Sequence, residues 1–169
     1  MATEKTNYTR IAKHYSKHYS KAQRLIIQRD NEFYYVSDGF SAVKVNVSFY
    51  AAYFTPISGF YKELPGNDSI MYDKGEQKHG PDFTRIFEDL HKGTFERYYN
   101  GNIKEIAEDN LCAILEAPGA DLMYVNYKWF TMFREVITSG YNCKDNNVNY
   151  PVYGTGRNGT EVLILPVRV

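Results

Sequence analysis

His14 and His18 stand four residues apart in a segment that repeats itself, Lys13-His14-Tyr15-Ser16 followed by Lys17-His18-Tyr19-Ser20. On a helix, residues at i and i+4 are neighbours, so a period of four stacks like residues into ridges. Two imidazoles on one ridge could chelate a metal, but a specific site needs more ligands than a pair. His79 and His91 lie in unrelated stretches, so no metal site is expected. The same stacking makes Lys13, Lys17 and Lys21 one basic row and Tyr15 and Tyr19 another. Cations in such a row neutralise phosphates by releasing counterions, which makes binding salt-dependent. Ser16 and Ser20 can add hydrogen bonds to phosphate oxygens. Arg10, Lys13, Lys17, Lys21 and Arg24 are therefore the candidate nucleic-acid-binding residues.

Other residue types that could do chemistry are poorly placed for it. Gly154-Thr155-Gly156-Arg157-Asn158-Gly159 matches G-x-G-x-x-G, but a dinucleotide site needs those glycines between a strand and a helix. Here Glu161 to Val167 reads as a strand, so the glycines belong to a hairpin loop. Cys112 sits in an apolar run and reads as core, while Cys143 has only Lys144 as an activating neighbour. The acidic pairs Glu88-Asp89 and Glu108-Asp109 show no spacing tied to acid–base or metal chemistry. The expectation is a protein that binds rather than catalyses, with no cofactor.

Charge is unevenly spread. Residues 1–29 carry seven lysines and arginines against Glu4 alone, in a chain whose formal net charge is zero. The excess marks either a nucleic-acid or partner face, or one solvated helix on an acidic body. The chain of 169 residues suits a single domain, and 43% hydrophobic and 24% charged residues are ordinary for a globular protein. No apolar run reaches membrane-span length, Met1 to Lys21 lacks the apolar core of a secretion signal, and two cysteines make no disulfide framework. A cytoplasmic protein with reduced thiols and no membrane contact is expected.

The elements that would position these residues form a pattern written twice, one helix and then three short strands. The first copy spans about Asn7 to Val47. Thr6 is the expected N-cap of a helix with Ile11, Tyr15, Tyr19 and Ala22 on its apolar stripe. Strands follow at Leu25-Ile26-Ile27, at Phe33 to Val36 and, after the hairpin signal Asp38-Gly39, at Ala42 to Val47. The second copy spans about Tyr127 to Val167. Its helix runs from Tyr127 to Thr138, with Trp129, Phe130, Phe133, Val136 and Ile137 on one face. Its strands fall at Tyr141–Lys144, Val148–Tyr153 and Glu161–Val167, and two further strands, Leu111–Glu116 and Leu122–Val125, precede it. Between the copies, Phe49 to Phe54 begins a helix stopped by Pro56, Leu64 to Pro81 reads as loop, and Phe83 to Leu90 reads as a helix ending at Gly93.

Three segments resemble the bacterial DNA sliding clamps. Phe33 to Ala42 is similar to a clamp strand–turn–strand, Tyr124 to Phe130 to the strand-to-helix passage of the last clamp domain, and Glu161 to Val169 to the final clamp strand. The resemblance implies an α+β fold: one clamp-like domain built from two helix-plus-three-strand repeats with an irregular central insertion. The boundaries are about 7–47, 48–110 and 111–169. It also implies that both helices share one face, which in a clamp ring looks toward DNA. Bacterial clamp subunits hold three such domains, so a ring would require this chain to self-associate. The second helix offers only Lys128 and Arg134, against Glu135.

A lone clamp-like domain rich in Tyr and Asn looks similar to small proteins of phages and mobile elements. The function this implies is a clamp-like, DNA-associated module acting on nucleic-acid machinery, with duplex DNA or a nucleic-acid-processing protein as partner. The alternative is an anti-CRISPR-type inhibitor that binds a host Cas effector or its nucleic acid.

Overall fold

The computed structural model describes residues 3–22, 24–57, 59–60, 69–73 and 76–168. Helix α1 (Glu4–Ala22) begins one turn earlier than expected. Thr3 carries the same hydroxyl as Thr6, and its Oγ1 accepts the Thr6 N–H at 3.3 Å. Ile11 and Tyr15 are buried along the helix as the stripe required, joined by Tyr8 and Ala12. Strands β1 (Arg24–Arg29), β2 (Phe33–Ser37) and β3 (Ser41–Asn46) follow as an antiparallel meander. Their alternation sends Leu25, Ile27, Tyr34, Val36, Val43 and Val45 into the core under α1, and Ile26, Tyr35 and Ala42 to the opposite face.

The described residues in the middle of the chain hold more regular structure than their composition suggests. A short α2 (Val47–Phe49), capped by Asn46, runs into a π-helical turn at Tyr50–Phe54 that ends before Pro56. The stretch read as loop contains a hairpin, β4 (Ser69–Asp73) and β5 (Glu76–His79), added to the free edge of β1; residues 61–68, 74 and 75 lie outside the described residues. Helix α3 (Phe83–His91) follows, with Asp82 as its N-cap. It buries Phe83, Phe87 and Leu90 on the face of Ile26, Tyr35 and Ala42. Then come β6 (Phe95–Ala107), β7 (Asn110–Glu116) and β8 (Met123–Asn126).

Helix α4 (Tyr127–Arg134) stops short of Thr138, because Ile137 leaves the helix to bridge Gly156. Phe130 and Phe133 are buried, and Trp129 and Ile137 pack against the same core. Strands β9 (Tyr141–Cys143), β10 (Val152–Thr155) and β11 (Glu161–Ile164) complete the chain's second meander. Strand β10 lies later than predicted. Asp145 accepts the N–H of Asn147 and Asn147 that of Asn149, and these turns hold 145–149 out of the sheet.

The fold is α+β. Among the described residues nine strands form one antiparallel sheet, β5-β4-β1-β2-β3-β11-β10-β9-β6, and from Tyr98 onward β6 pairs instead with β7, which pairs with β8. Each meander therefore joins the other through its last strand, β3 against β11, with Val43 opposite Val162. Read outward from that junction, both sides have the same order. Helices α1 and α4 pack against each other and contribute to one core. After β11 the chain crosses to β8, where Pro166 bridges Val125 and the Val167 N–H donates to the Tyr124 carbonyl at 2.7 Å. Among the described residues no helix is long and apolar enough to cross a membrane.

Candidate nucleic-acid interface

The tetrad repeat does on α1 what its period requires. Tyr15 turns inward while Lys13, Lys17 and Lys21 stay exposed. The neighbouring helix adds to this face. Arg10, Lys13, His14 and Lys17 from α1 and Lys128, Thr131 and Met132 from α4 line one groove of about 350 Å³. Three of the five predicted site residues, Arg10, Lys13 and Lys17, thus meet in one place. Lys21 continues their ridge, and Arg24 lies beside the β2–β3 turn, its Cδ 3.5 Å from where a Cβ on Gly39 would be. The missed member is Lys128. Its charge was visible, but its position opposite Lys13 and Lys17 depends on α4 docking against α1. Arg134 stays outside the groove lining, 3.6 Å from Glu135.

Beneath the basic residues runs a polar network that the sequence did not reveal. The Trp129 indole N–H donates to His14 Nε2 at 2.7 Å. An indole nitrogen can only donate, so His14 Nε2 is the acceptor of this bond. The same Nε2 lies 3.8 Å from Asp38 Oδ2. Asp38 is fully buried; its Oδ1 accepts the N–H groups of Phe40 at 2.8 Å and Ser41 at 2.7 Å and the Ser41 hydroxyl at 3.2 Å. Ser41 Oγ in turn lies 3.0 Å from the Tyr15 hydroxyl. Burial pushes the Asp38 carboxyl up, but His14, the two backbone donors and the charge of His18 outweigh it and hold it below its ordinary value.

The remaining clusters are self-contained. On the α3 face a hollow of about 470 Å³ is lined by Asp30, Tyr35, Lys44 and His91 among others. Its Lys44 and His91 both bind Glu161, at 3.3 and 2.7 Å, and so tie β3 and α3 to β11. Cys112 and Cys143 are buried, and burial raises both thiols. Arg97, absent from the sequence reading, offsets part of that rise at Cys143. Its fully buried guanidinium donates to the carbonyls of Asp121 at 2.8 Å and Asn146 at 3.2 Å, clasping two loops. The glycine motif serves packing. A Cβ at Gly154 would fall 2.9 Å from Ile137, and one at Gly156 would overlap the Val136 carbonyl oxygen. Among the described residues no group of three or more His, Cys, Asp or Glu could hold a metal.

No family model matches the chain, and neither any curated protein nor any solved structure does.

Proposed function

We propose that this protein is a non-catalytic, clamp-like module that associates with duplex DNA through the face shared by α1 and α4. One observation carries the reading: a single groove draws Arg10, Lys13 and Lys17 from the first helix and Lys128 from the second, with no acidic residue among the described residues that line it. Phosphates suit such a groove, because each cation that meets one releases counterions. The symmetrical strand order about β3 and β11, with both helices on one face, supports the clamp-like part.

The test is fluorescence anisotropy with a labelled duplex across a salt series. Binding should weaken steeply with salt. Replacing Lys13, Lys17 and Lys21 together by Glu should abolish most of it. Lys128→Ala should flatten the slope of log affinity against log salt by about one. Unchanged affinity in the triple variant would overturn the proposal. An unchanged slope in Lys128→Ala would remove α4 from the interface.

A further inference from the structure

The basic groove leads to an aromatic step. His14 in its wall holds the Trp129 indole, and the Trp129 ring stacks on Phe40 with centroids 5.7 Å apart and planes 15° from parallel. Phe40 is 49% exposed, at the tip of the β2–β3 turn. Its backbone is held on both sides. Asp38 accepts its N–H, its carbonyl accepts the Leu165 N–H at 2.9 Å, and Gly39 before it adopts φ +90°, where a side chain would be strained. Ser37 Oγ accepts the Gly39 N–H at 3.0 Å and fixes the turn further. An aromatic ring is thus presented to solvent by a rigid turn, backed by a second ring and adjoining a row of cations.

We infer that Phe40 and Trp129 form a stacking platform for an unpaired base, so that the groove prefers nucleic acid with a single-stranded tail to blunt duplex. This rests on the nucleic-acid reading of the groove. Within a duplex, bases are stacked on one another and show a protein only their edges and the backbone, so they leave a ring face such as that of Phe40 uncovered. An unpaired base has a free π-face. Combined with a cationic track for its backbone, stacking on an aromatic side chain gives affinity with little dependence on sequence. The charge of Arg10, Lys13, Lys17 and Lys128 selects a polyanion as the occupant, and the ring selects one whose bases are free. Because the turn is already ordered, little conformational freedom is lost on binding.

The experiment compares three labelled DNAs of one sequence: blunt duplex, the same duplex with an unpaired tail, and the tail strand alone. Anisotropy is read for the wild type and for Phe40→Ala, Phe40→Leu and Phe40→Trp. The wild type should bind the tailed duplex about 5- to 150-fold more tightly than the blunt one, the range for one stacked base. Phe40→Ala and Phe40→Leu should bind the two duplexes alike, and Phe40→Trp should keep the preference. Trp129 is the only tryptophan of the chain, so its emission should change with the tailed duplex and not with the blunt one. Circular dichroism of each variant confirms folding at this exposed site. Equal binding of tailed and blunt duplex by the wild type overturns the inference and spares the groove. A preference that survives Phe40→Ala overturns it equally. Failure of all three DNAs to bind overturns the groove reading as well.

Discussion

Asp38 shows how one buried carboxylate can organise a surface. Its Oδ1 closes the turn that carries Phe40, and its Oδ2, with no hydrogen-bond partner among the described residues, faces His14 at 3.8 Å. The carboxyl titrates below its ordinary value near 3.8, so its charged form is favoured by folding. That contribution is complete above the unfolded value and is lost as acid takes the protein down through the folded one. Asp38→Asn should therefore lose about 1–3 kcal/mol at neutral pH, through weakened bonds to the Phe40 and Ser41 N–H groups. In urea unfolding below pH 3.8 the gap to the wild type should close. A gap that persists undiminished in acid would show that the charge of Asp38 does not hold the turn.

At the scale of elements, the exit of α4 depends on Gly156. Ile137 bridges it, and the N–H groups of Thr138 and Ser139 both donate to the Thr155 carbonyl, so the backbone after α4 lies directly on β10. Gly156→Ala would force these strands apart by overpacking, and a thermal melt should show Tm lower by roughly 2–10 °C. An unchanged Tm would mean that the 157–160 turn yields freely. The same docking explains what the sequence could not show. Helices α1 and α3 were legible because each has one apolar face, and the β1–β3 meander because its short apolar runs are separated by turn residues such as Asp38-Gly39. Strand β6 was not, because most of its side chains are exposed and register shifts after Tyr99 and Glu105 break its alternation. The lysine row of the groove was legible from its period of four. Lys128 and the bond from Trp129 to His14 were not, since the latter joins residues 115 apart in sequence.

The whole molecule separates its charges, with a basic helix on a body that carries the compensating acidic excess. If the four cations of the groove each meet a phosphate, log affinity should fall against log salt with a slope of about −3 to −4. Anisotropy between low and moderate salt measures this, and a nearly flat line would rule out a phosphate-led interface. The junction of β3 with β11 has a consequence in time. Lys44 and Glu161, which meet across it, are separated by 117 residues. At a ribosomal rate of ~5–20 residues per second, β3 waits roughly 6–25 s for its partner. Throughout that interval an edge of unpaired amides, flanked by Val43 and Val45, stands open on the nascent chain. The same long closure makes refolding slow, because distant strands must meet before either is covered. The first meander has to persist, unfinished and prone to pairing with its neighbours, until synthesis delivers the strand that seals it.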